Sequence, residues 1–110
     1  MNKFEATILI SPDLVENKLQ NQKKSFEDLI KDMGGSIVEK EEWGLRDLKY
    51  KIKSFKKAFY VFYQTELDGN KIPEIKKILS QNELVLRHLF VKVLEHQKLP
   101  TKIMNNEDEK

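Results

Sequence analysis

The sequence predicts an α+β domain in which two helices pack on one face of a four-stranded antiparallel sheet. Three observations favour this class. The chain has 110 residues, of which 39% are hydrophobic and 35% are charged, as expected for one compact domain. Four segments carry apolar residues at alternate positions, as strands do, and two carry them at spacings of three and four, as amphipathic helices do. Their order is strand, helix, strand, strand, helix, strand.

The first strand is predicted over residues 3–10, in which every second residue is apolar. A helix is predicted to begin within Ser11-Pro12-Asp13, because serine and aspartate side chains can accept the free amide hydrogens of a first turn. Apolar residues then recur at helical spacing as far as Met33. The Gly34-Gly35 pair supplies a left-handed residue and so predicts the end of this helix.

The remaining elements follow from the same patterns. Residues 36–43 predict a mostly exposed strand, and residues 58–67 predict a strand rich in aromatic side chains. The stretch between them, residues 43–57, is interpreted as a long cationic connection. A second helix is predicted over residues 72–82, with a proline in its first turn, and a last strand over residues 84–94. This order is that of the ferredoxin-like, or split βαβ, sandwich, which leaves one sheet face open.

Composition limits the classes of function. Residues 1–95 are predicted to form the domain, and residues 96–110 a disordered tail, because the apolar pattern stops there. The formal net charge is only +2, so any basic site must be local. The absence of cysteine excludes disulfides, thiolate metal sites and a cysteine nucleophile. No stretch approaches the roughly 18 apolar residues of a membrane span, which favours a cytoplasmic or organelle-matrix protein.

The basic residues concentrate just before the aromatic strand. Between residues 46 and 57, six basic residues stand against one acid, Asp47. Lysines at alternate positions of an extended segment project to one side, where they can follow a phosphate backbone without reading bases. The same pattern also fits a solvated strand edge that lysines protect against aggregation. The six residues are Arg46, Lys49, Lys51, Lys53, Lys56 and Lys57.

The aromatic strand is apolar on both of its faces. Phe59, Val61 and Tyr63 point one way, and Tyr60 and Phe62 point the other way. Two helices can cover only one face of the sheet. One aromatic set is therefore expected on the open face, as a platform for a protein or for stacked bases. The alternative is that both sets belong to a core.

The alternation of side chains along the last strand places Arg87 and His88 on opposite faces of the sheet. We expect Arg87 and Leu89 on the open face, because an arginine beneath the helices would need a buried partner. His88 then faces inward, where a hydrogen-bonded core histidine is a commoner role than a ligand or a base. The two sets are Val85, Arg87, Leu89 and Val91 on one face and Leu86, His88 and Phe90 on the other.

No catalytic or metal site is predicted. Neither histidine is accompanied by a carboxylate pair, a metal-ligand spacing or a glycine-rich phosphate loop, and His96 at the start of the tail is expected to be solvated. The sequence therefore predicts no enzyme, no metal and no cofactor. Trp43, which precedes Gly44, is expected either to pack the hairpin or to contact a ligand.

One segment, Glu-Glu-Trp-Gly-Leu-Arg-Asp-Leu-Lys-Tyr-Lys-Ile at residues 41–52, resembles the hairpin motif of the bacterial small-subunit ribosomal protein six family. The resemblance extends over residues 3–94 and includes the glycine helix stop, the aromatic strand and the last strand. The chain differs from the family pattern at two positions. Lys51 stands where the family usually has proline, and Asp47 stands where it often has a basic or polar residue.

The resemblance implies a ferredoxin-like protein that binds the central domain of small-subunit ribosomal RNA as a heterodimer with ribosomal protein eighteen. By position, Arg46 and Arg87 match basic family positions at the RNA and partner surface. Trp43 matches the tryptophan of the hairpin motif, and Tyr60 and Phe62 fall on the open face. The candidate RNA-binding residues are Lys3, Arg46, Lys49, Lys51, Lys53, Lys56, Lys57 and Arg87. The candidate partner-binding residues are Trp43, Tyr60, Phe62, Arg87 and Leu89.

Two other classes of function stay open at this point. A ferredoxin-like regulatory domain that binds a small molecule would share the architecture, and it would require a pocket at a helix turn with converging polar groups. An enzyme would require an accessible His88 that titrates near neutrality.

Overall fold

The computed structural model describes residues 1–99, which form four strands and two helices. A short 3₁₀ turn at Gly69–Lys71 precedes the second helix. Neither helix is long and apolar enough, within the described residues, to cross a membrane. Predictions about residues 100–110 lie outside the described residues. The elements are β1 (Asn2–Ile10), α1 (Glu16–Asp32), β2 (Ser36–Ile52), β3 (Phe55–Leu67), α2 (Ile72–Ser80) and β4 (Val85–Val93).

The four strands form one antiparallel sheet in the order β2-β3-β1-β4. The central strand β1 pairs with β3 on one side and with β4 on the other. Leu9 therefore lies opposite Tyr60 and opposite Arg87. This topology, with both helices on one face, confirms the predicted ferredoxin-like sandwich.

The main core lies between the sheet and the two helices. β1 and β3 each supply alternate side chains to this layer, while α1 and α2 each supply one apolar stripe. The helix-covered face of the sheet is therefore the one that carries Val61 and Tyr63. The buried residues of this core are Phe4, Ala6, Ile8, Ile10, Leu19, Phe26, Ile30, Val61, Tyr63, Leu67, Ile72, Ile75, Leu79 and Val85.

The two ends of α1 differ in how well the sequence predicts them. The helix begins at Glu16, and Val15 is an N-cap without a side-chain hydrogen bond, so the predicted start within residues 11–13 is wrong. The hydroxyl of Ser11 instead accepts the Asp13 amide at 3.4 Å in a tight turn before the helix. The predicted end is confirmed. Gly34 has a φ of 84° beyond the last turn, and the next amide donates back to the carbonyl of Ile30 at 2.9 Å.

The largest departure from the sequence prediction is the connection between β2 and β3. The two strands continue into one long hairpin, and only Lys53 and Ser54 form its turn, with φ values of 50° and 74°. The interpretation of residues 43–57 as a long connection is therefore wrong. The physical reason is a second apolar cluster on the open side of the sheet, which gives the hairpin something to pack on. This cluster consists of Leu9, Ala58 and Leu86, with Leu48, Ile52, Phe55 and Tyr60 packed against them.

A β-bulge in β4 changes which face of the sheet the side chains before it point toward. Leu9 pairs with Arg87, whereas the adjacent Ile10 pairs with Val85. Val85 therefore packs in the main core and Leu86 packs on the open side, so the predicted faces of these two residues are wrong. Beyond the bulge the predicted parity is correct. Leu89 is exposed on the open face, and Phe90 packs against the main core.

Candidate nucleic-acid and protein interface

The centre of the open face is an aromatic stack contributed by β2 and β3. The ring of Trp43 lies parallel to that of Phe62, with centroids 5.4 Å apart and planes 10° apart, and the Tyr60 ring is 6.1 Å away. The stack exists because β2 has a register shift between Glu42 and Gly44, where Gly44 adopts a φ of 76°. Trp43 is only 8% exposed as a result. Trp43 therefore packs within the hairpin, and its contact with a ligand stays a prediction.

Hydrogen bonds hold Trp43 at its indole nitrogen and at its carbonyl oxygen. The indole Nε1 donates to Oε1 of Glu41 at 2.6 Å, and the guanidinium Nε of Arg46 donates to the Trp43 carbonyl at 3.2 Å. Arg46, the first of the six basic residues between positions 46 and 57, is thus tied to the aromatic stack. Arg46 is half-buried, unlike the lysines that follow it.

A cleft of about 420 Å³ opens beside this stack, across the strands of the open face. Four of the five candidate partner-binding residues line it, and the fifth, Phe62, packs against Trp43 behind the cleft wall. We call this feature the docking cleft. The residues that line it are Thr7, Leu9, Trp43, Tyr60, Arg87, His88 and Leu89.

The β4 side of the open face is apolar and accessible. Leu89 is 59% exposed and Val91 is 47% exposed, and they follow each other on the same face of an edge strand. Arg87, one position earlier on that face, is also exposed. An exposed apolar pair beside a guanidinium is a surface composition typical of protein contacts.

The candidate RNA-binding lysines divide into one group and one outlier. Those of the hairpin lie together around its turn and are all exposed, and among them Lys57 has its ammonium 3.9 Å from the Asp47 carboxylate. We call this group the basic hairpin tip, and it consists of Lys49, Lys51, Lys53, Lys56 and Lys57. Lys3 lies elsewhere. Its backbone lies opposite that of Glu66 in the sheet, near the far end of β3. Its ammonium contacts the Glu95 carboxylate at 3.3 Å.

His88 faces the helices, as predicted from the outward position of Arg87. Its Nε2 lies 3.3 Å from the hydroxyl of Ser80, and its buried Nδ1 has no hydrogen-bond partner among residues 1–99. Burial, and then the nearby Lys76 ammonium, lower the pKa of His88 below 6.5. With no carboxylate on Nδ1 to orient the ring, the Ser80–His88 pair lacks the third member of a catalytic triad.

One group of charged residues under the helix layer was not predicted from the sequence. Lys23 of α1 is buried and forms an ion pair with Glu42 of β2. Lys40 contacts Glu27 at 3.0 Å, and the Tyr63 hydroxyl donates to the same carboxylate at 3.1 Å. Burial and this carboxylate raise the pKa of Tyr63. The network joins α1 to β2. Lys23 lies four residues after Leu19 and three before Phe26, so the helical spacing places it on the buried stripe of α1 and could have marked it.

A second polar cluster, on the open face, was also missed. The prediction that His96 is solvated is wrong, because its side chain is 12% exposed and its Nδ1 lies 3.3 Å from a carboxylate oxygen of Glu5. Gln64 and Gln97 contact the same carboxylate. Residues separated by more than 90 positions meet here, so no local pattern in the sequence could have predicted the contact.

Comparisons with known proteins agree with this geometry. A family model described as Ribosomal protein S6 matches residues 3–92. A relative named small ribosomal subunit protein bS6, from Rickettsia felis, is 35% identical over 107 residues, which are 97% of this chain and 88% of the relative. A protein of the same name from Rhodospirillum centenum is 30% identical over 110 residues, covering 100% of this chain and 68% of the relative.

The likeness extends to a solved structure. The 30S ribosomal protein S6 from Thermotoga maritima superposes with a TM-score of 0.80, covering 98% of this chain and 95% of that one. The two sequences are 19% identical, so this likeness concerns the fold.

Proposed function

The chain belongs to the ribosomal protein S6 family, and we propose that it is a structural constituent of the small ribosomal subunit that binds central-domain ribosomal RNA as a heterodimer with ribosomal protein eighteen. One observation carries the proposal. A single long β-hairpin bears Trp43 of the docking cleft about midway along its first strand and the basic hairpin tip at its end. A binding partner that contacted both parts of this hairpin would have to present an apolar protein surface to Trp43 and a phosphate backbone to the basic hairpin tip.

The RNA contact is proposed for the basic hairpin tip together with Arg46 and Arg87. Exposed lysines on flexible stems suit phosphate contacts, which position a protein on RNA without reading its sequence. If about six phosphate contacts form, affinity should fall about a thousandfold between roughly 50 and 200 mM salt. Lys3 lies at the other end of the sheet, so any contact it makes belongs to a separate part of the RNA.

The protein contact is proposed for the docking cleft. Its walls combine stacked aromatic rings, the exposed Leu89 and the guanidinium of Arg87. Aromatic residues and arginine are the types that contribute most to protein–protein affinity. Ribosomal protein eighteen would then share the RNA, which lets a chain with a formal net charge of only +2 take part in a ribonucleoprotein.

The proposed role needs no cofactor and no catalytic step, and it places the protein on ribosomes in the cytoplasm or in an organelle matrix. The test is binding of the full chain to a transcribed central-domain fragment of small-subunit ribosomal RNA. Binding is measured with and without ribosomal protein eighteen, at two salt concentrations. We expect salt-sensitive binding that appears or tightens when the second protein is present. Absence of binding in every arm would overturn the proposal.

A small-molecule regulatory domain is the second candidate, and one feature favours it. A cavity of about 340 Å³ lies between the two helices and the sheet, with apolar walls that include Phe26 and Leu79 and with Asp28 and Asp32 among its lining residues. Thermal shift screening of the free protein tests this candidate. A ligand whose stabilisation is lost on filling the cavity with Ile78→Phe would support it, and a screen without such a ligand would count against it.

A further inference from the structure

Beyond β4 the chain turns back across the open face and is held there by its own backbone. The amide of Gln97 donates to Oε2 of Glu5 at 3.0 Å. The carbonyl of Gln97 accepts a hydrogen bond from Nε2 of Gln64 at 2.7 Å. One residue is thus fixed by both its backbone donor and its backbone acceptor. The side-chain amide of Gln97 adds a contact to Oε1 of Glu5 at 3.1 Å.

The two residues that make these contacts are neighbours in the sheet. Glu5 and Gln64 are directly opposite each other on β1 and β3, and they are 9% and 3% exposed. Nε2 of Gln64 also donates to Oε2 of Glu5 at 3.3 Å. A buried carboxylate is costly unless several donors satisfy it. Besides Gln64, the donors that the described residues offer to Glu5 are the amides of Gln97 and the ring of His96.

We propose that Glu5 and Gln64 form a backbone clamp for the chain's own residues 95–99, and that this strap closes one end of the open face. The position of a partner beside this strap rests on the proposed function. Thr7, which lies two positions from Glu5 on the same face, lines the docking cleft. The strap therefore borders the cleft, and the partner occupies the Trp43 and Leu89 side without displacing it.

The contacts predict which changes the clamp tolerates. Because the clamp contacts the backbone of residue 97, Gln97→Ala keeps two of its hydrogen bonds, whereas Gln97→Pro removes the amide donor. Lys3 also reaches the strap through Glu95, at 3.3 Å, but that pair is exposed and contributes little.

The test is amide hydrogen exchange of the full chain. In Glu5→Gln we expect the Gln97 amide to exchange about tenfold faster or more, because a charge-assisted acceptor is lost, while the β1–β3 amides keep their protection. Lys3→Ala is the control and should change the Gln97 rate less than about twofold. An unchanged Gln97 rate in Glu5→Gln would overturn the clamp. If that variant does not fold, Gln97→Pro against Gln97→Ala decides, read at the amides of His96 and Lys98.

A second arm of the experiment adds ribosomal protein eighteen to the wild-type chain. We expect the Gln97 amide to stay protected in the complex while amides of the docking cleft become slower to exchange. Faster exchange at Gln97 in the complex would mean that the partner displaces the strap, and the closure would be refuted. Failure of the partner to bind would overturn the proposed function instead, and the measurement on the free chain would still decide the clamp.

Discussion

At the scale of single residues, His88 makes the stability of the domain depend on pH. Its pKa is lowered below 6.5 in the folded state by burial and by Lys76. The unfolded chain therefore binds a proton more tightly, and stability falls as the pH drops below about 6.5. We expect His88→Gln to lose less stability than the wild type between pH 7.5 and pH 5. Urea unfolding midpoints at the two pH values test this, and equal pH dependence of both proteins would contradict it.

Gly35 shows a different constraint at the residue scale, namely the close approach of two backbones. A Cβ built at Gly35 would lie 2.7 Å from Cβ of Leu67 and 2.8 Å from the carbonyl oxygen of Glu66. Both atoms belong to or are bonded to the backbone of β3, so we expect Gly35→Ala to cost about 1–3 kcal/mol of unfolding free energy. Gly69→Ala is the control, because its Cβ would make only ordinary contacts beyond 3.5 Å. Chemical denaturation of both variants tests the difference, and equal losses would argue against a clash at Gly35.

The two histidines show what a sequence can predict about one residue. His88 alternates with Arg87 along β4, so its inward orientation follows once the charged Arg87 is placed on the open face. His96 lies outside any periodic segment, and its burial depends on Glu5, 91 positions away. Orientation within an element is a local property, whereas the partners of a polar side chain are a property of the tertiary fold.

At the scale of elements, the long hairpin was the hardest feature to predict. Its lysines alternate with Leu48 and Ile52, and this pattern is typical of a strand, but charge and the lack of a turn sequence favoured a loop. The turn residues are Lys53 and Ser54 rather than the asparagine and glycine that usually occupy such positions. What stabilises the strand pairing is the apolar cluster in which Leu9 and Leu86, from the other two strands, pack with apolar residues of the hairpin itself.

The same element should bind RNA through its end without contributing much to folding. Lys51 and Lys53 are exposed, so reversing both to glutamate should leave the melting temperature nearly unchanged. The slope of log affinity for the RNA fragment against log salt should fall by about two or more. The control is Lys18→Glu with Lys24→Glu, which places the same charge change on exposed positions of α1. Equal loss of affinity in both double variants would contradict a local contact.

At the scale of the whole molecule, the basic hairpin tip and the docking cleft are separate surfaces that share one hairpin, and Arg87 in the cleft is proposed to serve both contacts. The docking cleft lies across all four strands, and the basic hairpin tip lies around the turn between β2 and β3. Charge changes at the tip and shape changes in the cleft should therefore be separable. For RNA binding and for heterodimer formation, the free-energy changes caused by a tip variant and by a cleft variant should add in the double variant when the two changed residues share no partner residues.

Leu89→Asp is the corresponding change in the cleft. Leu89 is 59% exposed, so the variant should keep its unfolding free energy to within about 0.5 kcal/mol. We expect it to weaken association with ribosomal protein eighteen at least tenfold, because it places an unpaired charge in a buried contact. Val15→Asp, at an exposed apolar position before α1, should leave association unchanged. Calorimetric titration distinguishes the two, and intact association of Leu89→Asp would move the partner away from the cleft.

The overall architecture was predictable because the type and order of the elements follow from apolar periodicity within short segments of the sequence. The basic cluster was predictable for the same reason, since its lysines are close in sequence. The backbone clamp was not, because Glu5, Gln64 and Gln97 come from three distant parts of the chain. Sites built from neighbouring residues are therefore easier to predict than sites assembled by the sheet.

The buried carboxylate of Glu5 has one more consequence, for strand alignment. Ile8, Leu9 and Ile10 are consecutive buried apolar residues, so at this end of β1 hydrophobicity does not distinguish the native pairing from one shifted by a single position. Such a slip turns every side chain to the opposite face. It would move Glu5 into the apolar layer beneath the helices, where an unpaired carboxylate is strongly unfavourable. The Glu5 carboxylate thus acts with the alternation of Phe4 and Ala6 to fix the register of the strand on which both neighbouring strands are aligned.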